Sequence, residues 1–131
     1  MHLIKKNAHS VSLRIPIYRM KLYVLDIKKP ATCLKDKRID LSQIDHDVVE
    51  AEADCQIVSH KSSAKGVLMR LERRYNESTL WHESIHAALM VLEIAGIDAT
   101  DSDGETLIYL PEWIVKMVKE HFYRKKVDYH S

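Results

Sequence analysis

The chain has 131 residues, 46% of them hydrophobic, so it is long enough to form one domain with its own core. Twenty Lys and Arg nearly balance 19 Asp and Glu, which argues against a polybasic nucleic-acid-binding protein and a disordered acidic tail. Two cysteines, Cys33 and Cys55, are too few for a disulfide-stabilised secreted scaffold, so reduced thiols are expected. Because no apolar run fits a signal peptide or a membrane helix, we expect a soluble, cytoplasmic protein.

The strand signals lie in residues 1–74, which we expect to form the strand-rich half of a single domain. Residues 20–27 are apolar on both alternating faces, a pattern typical of a strand in the middle of a sheet. A short helix is predicted over residues 40–52, with Asp40 as its N-cap. Residues 55–72 predict a hairpin whose second strand lies at the sheet edge.

The helix signals lie in residues 75–131, which complete the domain. A first helix over residues 77–95 is predicted to begin at a cap on Asn76 or Ser78 and to end at Gly96. The apolar stripe expected for it consists of Leu80, Ile85, Leu89 and Leu92. The second helix, from about residue 103 to 123, contains Pro111, which predicts a kink or a break. Its expected buried stripe consists of Leu107, Leu110, Ile114, Val118 and Phe122.

The first predicted helix carries His82, Glu83 and His86 in the pattern HExxH. Histidines four residues apart project from one side of a helix, so both imidazoles can reach one metal ion while Glu83 points toward the open coordination position. Residues 75–112 contain eight acidic residues and no Lys or Arg, so a divalent cation meets little competition there. The pattern therefore predicts a site for one Zn²⁺, with two histidine ligands and a glutamate as general base.

Catalytic zinc normally has three protein ligands, so a third is needed. The extended pattern HExxHxxGxxH is absent, since Leu89 and Leu92 stand at its glycine and histidine positions. Glu105 follows the turn between the two predicted helices, where the second helix folds back on the first, and we select it as the third ligand. The alternatives are Asp101, Asp103 and Glu112.

The sequence WHESIHAALMVLEIAGI followed by DSDGETLIYLPEWIVKMV resembles the C-terminal half of small phage-encoded zincin-like metallopeptidases, over about residues 76–120. The resemblance implies His82, His86 and Glu105 as zinc ligands and Glu83 as the catalytic base. Tyr109 matches a tyrosine of this family, and we expect it to stabilise the oxyanion. The expected fold is therefore a minimal zincin-like α+β domain, in which a mixed sheet of three or four strands packs on the HExxH helix and a second long helix.

The function expected from this resemblance is zinc-dependent hydrolysis of a protein or peptide substrate through a metal-activated water. If the chain is phage-encoded, as the resemblance implies, the expected compartment is the host cytoplasm. The substrate is expected to add as a strand beside residues 65–72, and His60 is an alternative to Tyr109 as oxyanion donor. The alternative function is a catalytically silent metal-binding zincin scaffold that docks on a host or virion protein. Neither nucleic acid nor a membrane is an expected partner.

Overall fold

A computed structural model describes residues 2–44, 53–97 and 105–122, of which residues 105–107 are described by their backbone alone. Five strands precede two helices: β1 (Leu3–Lys6), β2 (Ser10–Arg14), β3 (Lys21–Asp26), β4 (Ala53–Ser59), β5 (Lys65–Leu71), α1 (Glu77–Ile94) and α2 (Glu105–His121). The expected α+β class, with a mixed sheet and two long helices, is confirmed. The sheet is larger than the three or four strands expected, because residues 3–14 add β1 and β2.

The strands form one sheet in the order β1-β2-β3-β5-β4. Neighbouring strands are antiparallel except β3 and β5, which are parallel. The central position predicted for residues 20–27 is confirmed, since β3 is buried along its whole length. The hairpin β4–β5 is confirmed as well. The prediction that residues 65–72 form the sheet edge is wrong, because β5 pairs with β3 and β4, which leaves β4 outermost.

One face of the sheet packs against both helices. Alternate side chains of β2, β3 and β5 point toward α1 and α2 and form the larger core with them, for example Val11, Leu22 and Met69. Lys119 near the end of α2 forms an ion pair with Glu77 at the beginning of α1. The two helices therefore run antiparallel, as expected of consecutive helices joined by a short connection.

The ends of α1 agree with the sequence prediction. The Asn76 side chain accepts a hydrogen bond from the backbone N–H of Thr79 at 2.7 Å and thereby caps the helix. At the other end Gly96 has φ of 73°, and the N–H of Ile97 donates to the carbonyl of Leu92 at 2.9 Å. These are the conformation and the hydrogen bond of a Schellman stop.

The predicted apolar stripe of α1 is wrong in two positions. Leu80 and Leu92 are buried, but Ile85 and Leu89 are 47% and 41% exposed. The buried side of the helix is centred on Val91 instead, and the small side chains next to it let α1 approach the sheet and α2 closely. Two large apolar side chains therefore remain on the outer side of α1.

Helix α2 runs through Pro111, so of the two predicted alternatives the break is wrong and the kink stays a prediction. The ring is tolerated because the residues before and after it keep the helix in contact with the core. The predicted stripe is confirmed for Leu110, Ile114, Val118 and Phe122, which are all buried, whereas the side chain of Leu107 lies outside the described residues.

The other face of the sheet is covered by residues 27–44, which form the loop layer. This segment contains two short 3₁₀ helices, Ala31–Leu34 and Leu41–Gln43. Asp40 accepts a hydrogen bond from the backbone N–H of Ser42 at 3.1 Å, so the predicted cap is present, but residues 45–52 of the predicted helix lie outside the described residues. The loop layer and the sheet enclose a second, smaller core, which explains why β3 and β5 are apolar on both faces.

Within the described part of the chain, no helix is long and apolar enough to cross a membrane.

Candidate metal site on helix α1

The imidazoles of His82 and His86 lie one turn apart on the exposed side of α1. Their Nε2 atoms are 3.1 Å apart, and their ring centroids are 4.6 Å apart with the ring planes inclined by 72°. The structure thus brings together, with convergent nitrogens, the two histidines that the sequence pattern assigns to a metal.

The distance between the two nitrogens fits a shared zinc ion. Zinc–nitrogen bonds of about 2.0–2.1 Å at a tetrahedral angle place two ligand nitrogens about 3.3 Å apart. The separation of 3.1 Å is within a few tenths of an ångström of that value. The separation of the two nitrogens is therefore compatible with one shared ion.

Glu83 is buried and contacts β4, whereas the two histidines are exposed, so the expected direction of its carboxylate toward the open coordination position stays a prediction. Its residue surface is only 8% exposed, and the Cys55 thiol on β4 donates a hydrogen bond to its backbone carbonyl at 3.3 Å. Burial and the negative charge of Glu83 raise the pKa of Cys55 well above its usual range. The thiol therefore stays protonated and does not compete with the imidazoles as a thiolate ligand.

Cys55 is a neighbour of the site that sequence reasoning missed. The sequence supports only the prediction that its thiol is reduced, and both cysteines are indeed free. The contact joins residues 28 positions apart, from a strand and a helix, so no local pattern indicates it.

A third ligand is not part of the geometry described. Among the side chains that the structure places, no three His, Cys, Asp or Glu converge as a metal-binding group. Glu112 is exposed on α2 and does not complete the histidine pair. Glu105 is the first residue of α2, but its side chain is outside the described residues, as are Asp101 and Asp103.

The antiparallel helices nevertheless fix the axial positions of Glu105 and Glu112. The Lys119–Glu77 pair is the reference point, and each residue adds about 1.5 Å along a helix. On that scale Glu112 is level with the middle of the HExxH pattern, and the backbone of Glu105 lies about 7.5 Å beyond His86, about 1.4 turns. Both residues are near enough to the histidines along the helix axis to be compared experimentally.

The two proposed oxyanion donors lie in different places. Tyr109 is on α2 and 51% exposed, so it is accessible to a substrate. His60 is on the loop-layer side of the sheet, where its Nε2 lies 2.7 Å from the Tyr23 hydroxyl. The sheet separates His60 from α1, so it cannot donate to a substrate at the histidine pair.

An exposed apolar stripe, defined here as the α1 stripe, flanks the two histidines. It consists of Trp81, Ile85 and Leu89, which are between 38% and 47% exposed and follow one another at four-residue intervals. Leu89 lies one turn after His86 on the same side of the helix. A surface that combines two imidazoles with large apolar side chains is suited to contact with another molecule.

Comparison of the chain with protein-family models, with curated proteins and with solved structures finds no match in any of the three.

Proposed function

We propose that the protein is a zinc-dependent metallopeptidase of the zincin-like type and that it hydrolyses a peptide bond at the outer side of α1. The observation that carries this proposal is the convergence of the His82 and His86 Nε2 atoms at 3.1 Å, next to a buried glutamate. Nitrogen ligands at this separation, together with a carboxylate, are the donor set that zinc prefers in hydrolytic sites.

In this proposal each residue has one role. His82 and His86 hold the ion, and Glu105 supplies the third ligand from α2. A zinc ion bound there would lower the pKa of a coordinated water toward neutrality and polarise the substrate carbonyl. Glu83 accepts a proton from the attacking water and delivers it to the departing amine nitrogen. Tyr109 donates a hydrogen bond to the oxyanion of the substrate carbonyl.

The substrate is a protein or peptide in extended conformation beside β4. This strand is paired with β5 on one side, and on the other its described backbone accepts one hydrogen bond, from Asp40 to Ser59 at its last residue. The contact of Cys55 with the backbone carbonyl of Glu83 supports this position, because it brings the middle of β4 next to the residue proposed as the base. A peptide that adds to the outer edge of β4 would therefore run past Glu83.

Zinc binding is the first test. The chain is freed of metal with a chelator, and zinc affinity is measured by competition with a chromophoric chelator. We expect one zinc per chain and a loss of at least about 100-fold in affinity for His82→Ala and for His86→Ala. His9→Ala, in the turn between β1 and β2, is the matched control and should keep the wild-type affinity. Wild-type protein that binds no zinc would refute the metal site.

The third ligand is tested in the same assay with three glutamates of α2. Glu105→Ala should weaken zinc binding by about 10- to 100-fold, whereas the exposed control Glu120→Ala should not. Glu112→Ala is the decisive comparison, because Glu112 is level with the histidines along the axis. A loss for Glu112→Ala with no loss for Glu105→Ala would overturn the assignment of Glu105.

Catalysis is tested with Glu83→Gln, which removes the base and keeps the side-chain shape. We expect normal zinc affinity and a loss of about 100- to 10,000-fold in cleavage of fluorogenic peptides. Glu93→Gln, an exposed glutamate on the same helix, is the control and should cleave normally. A wild-type protein that binds zinc but cleaves no peptide of a broad library would contradict the enzyme and favour the metal-binding scaffold that docks on a protein.

A further inference from the structure

A cavity of about 210 Å³ opens on the loop-layer side of the sheet, on the face opposite α1 and α2. Residues of β1, β2 and β3 form its floor, and residues 35–38 of the loop layer form its rim. Its volume is about seven times the volume that one water molecule occupies in the liquid. The cavity is therefore large enough for a small ion with part of its hydration shell or a short organic group.

The charge around this cavity is strongly positive. Its lining contains five cationic side chains and one carboxylate: Lys5, Lys21, Lys35, Lys37, Arg38 and Asp36. The strand register contributes to this clustering, since Lys5 is paired with Ser12 across β1 and β2, and both line the same cavity. The lining residues therefore carry four more positive than negative charges around a partly open cavity, in which Lys21 is buried and the other four cations are exposed.

The single carboxylate is already engaged by protein groups. Asp36 accepts hydrogen bonds from the Tyr23 hydroxyl at 3.0 Å and from the backbone N–H and Nε of Arg38 at 3.0 and 3.2 Å. Partial burial would raise the pKa of Asp36, but these hydrogen bonds and the charge of Lys21 lower it well below its usual range. Asp36 is thus an anion held by the protein itself, and it neutralises only part of the surrounding charge.

The buried ammonium group of Lys21 has fewer hydrogen-bond acceptors among the described residues than it has N–H donors. Lys21 is 8% exposed, and the described residues supply its ammonium with one acceptor, Asp36 Oδ2, at 3.5 Å. An ammonium group has three N–H donors, and a buried charge needs compensation by hydrogen bonds and opposite charge. The long contact to a carboxylate that is shared with Arg38 and Tyr23 leaves donor capacity directed into the cavity.

We propose that this cavity binds a phosphate group, either free phosphate or the phosphate of a small monoester. Its oxygens would accept from Lys21 at the floor and from Lys37 and Arg38 at the rim. A phosphate monoester has three terminal oxygens on one small group, so it can enter the cavity. Proteins that bind a nucleic-acid backbone instead contact its phosphates with exposed cations along an open groove. Because the site lies on the opposite face of the sheet, it is independent of the proposed zinc site.

Binding is measured by isothermal titration calorimetry with inorganic phosphate and, separately, with phenyl phosphate, in chloride buffer at constant ionic strength. We expect one site per chain. Lys21→Met should weaken binding about tenfold or more, because a buried charge-assisted hydrogen bond is lost. Lys37→Gln, an exposed rim residue whose replacement leaves the core untouched, should weaken it about threefold and keeps the test valid if Lys21→Met does not fold.

Lys116→Gln is the matched control, since it removes one exposed charge from α2, away from the cavity. Phenyl phosphate bound more tightly than inorganic phosphate would identify a monoester as the ligand, and the reverse order would identify free phosphate. Absence of binding to both would overturn the proposal. An equal loss of phosphate affinity in Lys37→Gln and Lys116→Gln would also overturn it, because such a result indicates general charge attraction only. Binding of a DNA oligonucleotide without binding of either small phosphate would overturn it as well.

Discussion

Ser84 offers a stability prediction with an unusual sign. The residue lies within the HExxH pattern, is completely buried, and its Oγ has no hydrogen-bond partner among the described residues. A buried hydroxyl without a partner costs about 1–3 kcal/mol of desolvation free energy. Alanine removes this cost and has a helix propensity better by about 0.5 kcal/mol. After subtraction of the lost dispersion contacts of one oxygen, we expect Ser84→Ala to raise the free energy of unfolding by about 1–2 kcal/mol.

The assay is urea and thermal unfolding of metal-free protein, followed by circular dichroism. For a chain of this size the expected gain corresponds to a rise in Tm of roughly 4–8 °C. Ser78→Ala, an exposed serine in the first turn of α1, is the control and should change the free energy of unfolding by no more than about 0.5 kcal/mol. Zinc affinity should stay at the wild-type value, because Ser84 faces the core and the histidines face outward. A lower Tm for Ser84→Ala would refute the reasoning and show that the hydroxyl has a partner.

Three further predictions concern stability. Asp36→Asn should cost about 2 kcal/mol near pH 6 through loss of charged hydrogen bonds. The folded-state pKa of Asp36 is lowered, so its contribution to the free energy of unfolding is present above the ordinary pKa of 3.8 and is lost as the pH falls through the lowered pKa. In urea unfolding, the difference in free energy between wild type and variant should therefore become smaller below pH 3.8. Gly66→Ala should lower the free energy of unfolding by about 2–3 kcal/mol in the same assay, because its Cβ would lie 2.8 Å from the backbone oxygen of Lys21. A decrease of less than about 1 kcal/mol would contradict that close approach. Gly96→Ala should cost only about 1 kcal/mol, since its positive φ is strained but nothing lies near the added methyl group, and a loss above about 2 kcal/mol would contradict this.

Local signals are sufficient for the elements that begin and end within one stretch of chain. The Asn76 cap and the Gly96 stop each act through a hydrogen bond within five residues, and the sequence predicts both. The hairpin β4–β5 is predictable for the same reason. The spacing of His82 and His86 also depends on a single helical turn, so their proximity follows from the sequence pattern alone.

Properties that depend on the rest of the fold could not be predicted. Hydrophobicity alone does not tell which side of α1 meets the sheet, so the pattern places Ile85 and Leu89 in the core although they are exposed. The edge of the sheet depends on whether β5 pairs with a second strand, and that strand, β3, lies about 45 residues earlier in the chain. The cluster around Asp36 joins residues from three distant segments, and its members look like ordinary surface residues in the sequence.

The parallel pairing of β3 with β5 is the strand ladder that joins two contiguous halves of the described chain, which also share the core between the sheet and the helices. Residues 3–26 form an antiparallel meander, and residues 53–121 contain the hairpin and both helices, so each half is held largely by contacts between neighbours in sequence. The ladder joins partners such as Leu22 and Val67, and forming it requires closure of a loop of about 45 residues. Contacts of long sequence separation form slowly, so the meander and the helical half are expected to fold early, and their docking at Gly66 is expected to limit the folding rate. A destabilising substitution in this ladder would slow folding of the whole domain, whereas the helical turn that carries HExxH is a local structure and would still form.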